Sequence, residues 1–213
     1  MERQFLQFAS LEIKGLFHAV SLRQADDSLC VEENQRRILE DLGIQKVAKL
    51  HQVHGMQVIY AGQPGLSQGD ALITKEKGLA LVVRHADCQA AIFYDPEKEQ
   101  IACVHAGWRG LVANIYAEVV KSLNTNPKGL FVAIAPSLGP RHAYYPEFPL
   151  EFKPFMENPH YYNFWDLAEK QLQDLGVQNI HIERVCTYEH PESFYSYRRD
   201  KTTGRHATLV RLE

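Results

Sequence analysis

Ala86–Gly110, ADCQAAIFYDPEKEQIACVHAGWRG, is the stretch that decides how the rest of the chain is read. Gln89–Tyr94 is an apolar run with β-branched and aromatic members, and Gln100–His105 is a second. Between them, Asp95-Pro96-Glu97-Lys98 carries proline where a type I turn wants its fixed φ. The stretch therefore reads as a β-hairpin. With Asp95–Lys98 as the turn, Cys88 falls opposite His105, both side chains share one face, and their Cβ atoms lie about 5 Å apart. A thiol and an imidazole at that separation can share a metal ion or a proton. A one-residue bulge would undo the pairing.

Outward from the hairpin, strands are expected over Lys46–Val53, Gln57–Tyr60 and Gly78–Arg84, with a Gly- and Ser-rich loop at Pro64–Asp70. Leu11–Ser21 alternates weakly and reads as a strand. Ser28–Glu33 leads into a helix with Val31, Ile38, Leu39 and Leu42 on one face, ended by Gly43. After Gly107–Gly110 the period changes. Leu111, Ile115, Val119 and Leu123, with Val112, Tyr116 and Val120 beside them, form one wide helical stripe that stops near Asn124. Strands at Leu130–Ala135, Ile180–Val185 and Ala207–Leu212 and a helix at Trp165–Leu175, ended by Gly176, complete the chain, while Tyr144–Pro159 shows no clear element. The irregular interleaving predicts an α+β fold of mixed β-sheets flanked by helices, rather than a doubly wound sheet. No internal repeat or domain boundary interrupts Met1–Glu213, which reads as a single domain.

A chain of 213 residues can bury a substantial core. Its net charge of −3 argues against a nucleic-acid partner, which calls for a basic surplus. No apolar run approaches the roughly 20 residues that span a bilayer, and MERQFLQFAS lacks the layout of a signal peptide. The expectation is a cytoplasmic protein with no membrane partner. The four cysteines, Cys30, Cys88, Cys103 and Cys186, form no CxxC pair, so free thiols are expected. Cys30 reads as inert and Cys103 as core. Cys186 closes a strand and could be structural or functional.

His54 ends a strand just before Gly55. Joined to Cys88 and His105, it makes three N/S donors with a fourth position open, which is what a catalytic zinc needs. A metal-free alternative has Cys88 as nucleophile and His105 as its base. A plainer one is a buried cysteine beside a hydrogen-bonded histidine. His51 and His85 stand at odd offsets from His54 and Cys88, on the other strand face, and are set aside. Asp70 and Asp87 are candidate acid/base groups. Backbone N–H groups at the strand-to-helix junction Gly107–Gly110, with Arg109, can attract an anion. Late in the chain, Arg198, Arg199 and Arg205 suit phosphate, and Phe194, Tyr195 and Tyr197 suit a flat base.

Five stretches together resemble one family: QVHG at Gln52–Gly55, GDALIT at Gly69–Thr74, ADC at Ala86–Cys88, VHAGWRG at Val104–Gly110, and CTYEHPESFYSYRRDKTTGRHA at Cys186–Ala207. They are similar to the laccase-domain, YfiH-like proteins, formerly labelled polyphenol oxidase. The resemblance implies a zinc-dependent purine nucleoside phosphorylase acting on a purine nucleoside and phosphate, with adenosine deaminase and methylthioadenosine phosphorylase activity in its range. It places the metal ligands at His54, Cys88 and His105, with zinc favoured over copper. Some positions depart from the family pattern. His85 replaces a threonine and Ala90 a proline. Ala135 replaces a glycine, and Tyr144 or Tyr145 stands where an acid is expected. An N-terminal Arg-Gly-Gly loop survives only as Ser21-Leu22-Arg23-Gln24. These changes bear on substrate contacts more than on the metal. The competing classes are a metal-free Cys–His hydrolase and a non-catalytic metal-binding module.

Overall fold

Alternate residues of the hairpin strands Gln89–Asp95 and Gln100–Ala106 part into two cores, because both faces are buried. Ala90, Ile92, Tyr94, Ile101 and Cys103 enter one core with Leu72, Leu81, Val83 and Val210. Ala91, Phe93, Ala102 and Val104 enter the other, with Ile115, Val119, Leu167 and Leu172 of the helices. The protein is described by a computed structural model covering residues 5–23 and 31–213, without the side chains of 31–35. Gln24, the Ser28–Leu29 lead-in, Cys30 and the side chain of Val31 lie outside the described residues.

Two six-stranded mixed sheets stack on the first of these cores. The hairpin sheet runs Asn179–Ile182, Phe131–Ile134, Gln89–Asp95, Gln100–Ala106, Ala71–Thr74, Val58–Tyr60. The facing sheet runs Phe5–Leu6, Leu16–Ser21, His206–Leu212, Ala80–His85, Val47–His51, Gly65–Gln68. Helices Trp108–Val112, Ile115–Leu123 and Phe164–Asp174 cover the outer face of the hairpin sheet. Ile38 and Leu39 of helix Val31–Asp41 cover the outer face of the other, against Ala80, Val82, Ala207 and Leu209. The α+β arrangement of mixed sheets flanked by helices is thus the one expected. Among the described residues no helix is long and apolar enough to cross a membrane.

The hairpin register differs from the expected one by two residues. Asp95 pairs Gln100 and Ala90 pairs His105, so the loop is Pro96–Glu99. Asp95 Oδ1 accepts the N–H groups of Glu97 (2.9 Å) and Lys98 (3.1 Å), and Glu99 takes φ +46°. This side-chain-stabilised turn leaves Asp95 in the strand instead of the loop. Cys88 therefore precedes the strand and stands diagonal to His105 rather than opposite it. A shift of two keeps both on the same face.

Other elements also differ. Pro64–Asp70 is not wholly loop: Gly65–Gln68 adds an edge strand parallel to Val47–His51. Ala71–Thr74 is a fully buried strand. The single stripe after Gly110 is two helices, because Asn114 turns left-handed (φ +59°) and caps the second with its side chain on Ala117 N. Tyr144–Pro159 contains a 3-10 segment, Leu150–Phe155, and a strand, Met156–Asn158.

Candidate metal centre

Three segments converge at one end of the gap between the sheets. His105 lies near the end of its strand, on the inter-sheet face with Ile101 and Cys103. Cys88 sits in the bend that enters the hairpin. His54 sits in a loop, with φ +60°. One donor atom from each of His54, Cys88 and His105 lies within 4.8 Å of the other two. The two imidazoles meet edge to face, with ring centroids 4.8 Å apart. Gly107 leaves the space between them. A Cβ there would stand 3.0 Å from His54 Cδ2, 3.4 Å from Cys88 Sγ and 3.8 Å from His105 Cε1.

Asp70 fixes the geometry. It is fully buried, and its Oδ1 lies 2.8 Å from His105 Nδ1. The same carboxylate accepts backbone N–H groups from His54 (3.0 Å) and Gly55 (2.7 Å), with Val53 at 3.3 Å. Burial opposes its charge. The hydrogen bond to His105 and those from the loop overcome that and hold its pKa below the ordinary carboxylate value. With Nδ1 committed, His105 presents Nε2 to the trio. Burial also opposes charge on Cys88 and His105, but their mutual contact prevails. The thiol is lowered to about 6 by hydrogen bonds from His105 and His54, and the His105 imidazole is raised to about 9 by Asp70 and Cys88.

Two imidazoles and a thiolate, with a carboxylate behind one imidazole and a residue without a side chain beside all three, suit a borderline-soft divalent metal. The donor set therefore fits such an ion. Without one, the same contacts make a thiolate–imidazolium pair, the arrangement a Cys–His nucleophile uses.

A small cavity adjoins the trio. Cys88 lines it together with Asp87, Gln89, Ser137, Leu138 and the rings of Trp108, Tyr145 and Phe164. Asp87 holds a left-handed backbone (φ +82°), and both its carboxylate oxygens are used. Oδ1 accepts from Thr187 Oγ1 (2.7 Å) and Oδ2 from Arg198 N (2.5 Å). Gln89 is satisfied by Phe164 O and the Tyr116 hydroxyl.

The late arginines separate. Arg198 donates to Tyr144 O (3.0 Å) and lies over the Tyr145 ring, 5.0 Å from its centroid, beside the cavity wall. Arg199 is turned inward, donating to Thr187 O, Tyr188 O and Phe194 O at 3.0 Å each and pairing with Asp200. Arg205 is held by Thr203 O and Gly204 O. Tyr195 is 2 % exposed and packs its ring against His206 and Gly204. None of these three lines the cavity, and neither does Arg198, whose guanidinium meets its wall at the Tyr145 ring. Arg109 is exposed and lies over its own neighbour Trp108, 4.3 Å from the ring centroid. Of the departures from the family pattern, Tyr145 faces the cavity, Tyr144 is largely exposed, and Ala90 and Ala135 are buried and joined through Ala135 N and Ala90 O (2.8 Å).

Sequence reasoning did not find the positioning contacts of Asp70, nor the role of Gly107. It also missed a second cluster of donors, His142, Cys186 and Glu189, again within 4.8 Å of one another. Cys186 and Glu189 three residues apart were the available signal.

A family model described as multi-copper polyphenol oxidoreductase laccase matches residues 15–213. A Pseudomonas aeruginosa protein named purine nucleoside phosphorylase is 36% identical over 202 residues, covering 88% of this chain and 83% of its own length. YfiH of Escherichia coli K12, also named purine nucleoside phosphorylase, is 34% identical over 196 residues, covering 85% and 81%. Among solved structures, a Neisseria meningitidis protein superposes with a TM-score of 0.85 at 23% identity, over 99% of this chain and 100% of its own. YlmD from Geobacillus stearothermophilus superposes with 0.84 at 24% identity, over 100% and 97%. The shared fold and the extent of these matches place the chain in the laccase-domain, YfiH-like family.

Proposed function

We propose that this chain is a zinc-dependent purine nucleoside phosphorylase, which breaks the bond between base and ribose with inorganic phosphate to give free base and ribose 1-phosphate. The observation that carries the reading is that Cys88 belongs both to the donor trio and to the wall of the aromatic cavity. The relatives named purine nucleoside phosphorylase supply the substrate class. Zinc held by His54, Cys88 and His105 would supply a Lewis acid with an exchangeable fourth position. Trp108, Tyr145 and Phe164 offer flat apolar surface to a purine. Arg198, half-buried over the Tyr145 ring of the cavity wall, offers a guanidinium fork to phosphate, and Arg109 adds charge at the neighbouring junction. Asp87 holds Arg198 through its backbone, and Asp70 holds His105 in one tautomer. Adenosine deamination and methylthioadenosine phosphorolysis belong to the same proposal, since both begin by placing a purine nucleoside against the same trio. Free thiols at Cys88, Cys103 and Cys186 suit the reducing cytoplasm.

A second reading follows from the description of the matching family. A His₂Cys trio is also a donor set for copper electron transfer. The adjoining cavity and Arg198 favour substrate chemistry over that role.

The test is incubation of zinc-loaded protein with adenosine and inosine, with and without phosphate, followed by chromatography. Base release that requires phosphate and vanishes in Cys88→Ala supports the proposal. Full activity in metal-stripped protein points to the Cys–His hydrolase. Absence of both base and ammonia leaves the non-catalytic module. A visible copper–thiolate band in protein purified without added metal favours the second reading.

A further inference from the structure

Two tight turns face each other behind the cavity wall. In one, His142 N donates to Gly139 O (3.0 Å); in the other, Glu189 N donates to Cys186 O (3.2 Å). A parallel bridge between Ser137 and Cys186 fixes the two turns together. They bring one imidazole, one thiol and one carboxylate within 4.8 Å of one another. We propose that His142, Cys186 and Glu189 bind a second divalent ion of the zinc class, which ties the Gly139–His142 turn to the Cys186–Glu189 turn.

Each donor has its own support, as metal ligands do. Gly139 N–H points at Cys186 Sγ (3.2 Å), a contact that favours a thiolate, although burial holds the free thiol above its ordinary pKa. Only glycine leaves room for that sulfur, since a Cβ at 139 would stand 3.1 Å from it and 3.0 Å from Trp165. The His142 ring stacks on Tyr188, with centroids 3.9 Å apart and planes 16° off parallel, which fixes the direction of its nitrogens. Arg141 holds Glu189 Oε2 at 2.7 Å and leaves Oε1 beside His142 Nε2 at 3.0 Å. Ligand atoms around one tetrahedral zinc stand about 3.3–3.6 Å apart, so small rotations close the site. On binding, the Cys186 thiol proton leaves to solvent, and a neutral His142 carrying its proton on Nδ1 turns the Nε2 lone pair to the ion, giving thiolate, neutral imidazole and carboxylate as ligands. Cys186 is 4 % exposed, while the His142 and Glu189 side chains are about a quarter exposed, which gives the ion a path in from one side. The ion would brace Ser137 and Thr187, the first in the cavity wall and the second hydrogen-bonded to Asp87.

The site is independent of the trio, so the test can separate the two. Full-length wild type, Cys88→Ser, Cys186→Ser, Glu189→Gln and Cys88→Ser/Cys186→Ser are dialysed against zinc, and zinc per folded chain is measured by elemental analysis. Wild type is expected to hold two ions, each cysteine variant one, and the double variant none. Glu189→Gln should keep its fold and bind the second ion at least about tenfold more weakly. Cobalt-loaded Cys88→Ser should show a thiolate charge-transfer band that the double variant lacks. A folded Cys88→Ser that binds no zinc, or an ion that persists unchanged in the double variant, overturns the proposal. Loss of the ion from Cys186→Ser alone, with Cys88→Ser unaffected, would instead remove metal from the trio and leave this site standing.

Discussion

Asp70 Oδ1 lies 2.8 Å from His105 Nδ1, and the same carboxylate receives the backbone N–H groups of His54 and Gly55. One buried acid thus positions both histidines of the trio, one through its ring and the other through its backbone. A neutral amide of the same shape cannot accept all of these bonds and carries no charge to favour an imidazolium.

Asp70→Asn is therefore expected to weaken zinc binding by about 10–100-fold. Competition with a chromophoric chelator measures this directly. Unchanged affinity would show that packing alone orients His105.

The same contact sets the pH at which Cys88 becomes reactive. In metal-free protein, iodoacetamide should alkylate Cys88 with a midpoint near pH 6, since the thiol is lowered to about 6 beside an imidazole raised to about 9. Between those values the pair is thiolate and imidazolium. Asp70→Asn removes the main support of the imidazolium, so the Cys88 midpoint should move upward, toward an ordinary thiol. Cys103, fully buried and pushed up to about 12 by burial, should stay unmodified throughout. A wild-type midpoint near 8.5 would mean that Cys88 and His105 are not coupled.

The pairing of Cys88 with His105 was legible in the sequence for a reason that only half holds. The period of a strand fixes which face a residue takes, and a two-residue error in the turn leaves that face unchanged. The turn itself was not legible, because it depends on Gln100 Nε2 reaching Asp95 Oδ2 and, across the fold, Leu123 O. Gly65–Gln68 was hidden by composition: a mostly exposed edge strand needs backbone partners more than apolar side chains, and Val47–His51 supplies them. Arg198 and Arg199 could not be told apart in one dimension. The left-handed Asp87 and the short helix Tyr197–Asp200 turn one guanidinium onto the Tyr145 ring of the cavity wall and the other into the protein.

Gly107→Ala isolates the space in the trio. Its φ of −72° suits any residue, so alanine brings no backbone strain. The added Cβ would stand 3.0 Å from His54 Cδ2, which must then move. The expected outcome is a marked loss of zinc affinity with folding stability within about 1 kcal/mol of wild type. A zinc titration beside a urea melt reads both. Equal affinity would show that His54 relocates without cost and that the glycine serves only the turn.

Arg198 and Arg199 make the sharpest contrast, because adjacent residues of one type should fail in different ways. Arg199 donates to three carbonyl oxygens and pairs with Asp200, with its side chain only 17% exposed. Alanine there leaves those acceptors without a donor and should cost about 2 kcal/mol of stability, while the protein that remains folded keeps its phosphate KM. The Arg198 side chain donates to Tyr144 O and lies over the Tyr145 ring, while its bond to Asp87 runs from the backbone N–H, which a substitution keeps. Loss of the Arg198 side chain should cost about 1 kcal/mol or less in stability. Removing its charge from a phosphate should raise the phosphate KM about tenfold or more. Arg198→Lys should recover only part of that, since an ammonium offers no planar fork. Phosphate-dependent kinetics measured beside urea melts separates the two effects. A phosphate KM raised in Arg199→Ala and unchanged in Arg198→Ala would reverse the assignment and move the anion site to the inner arginine.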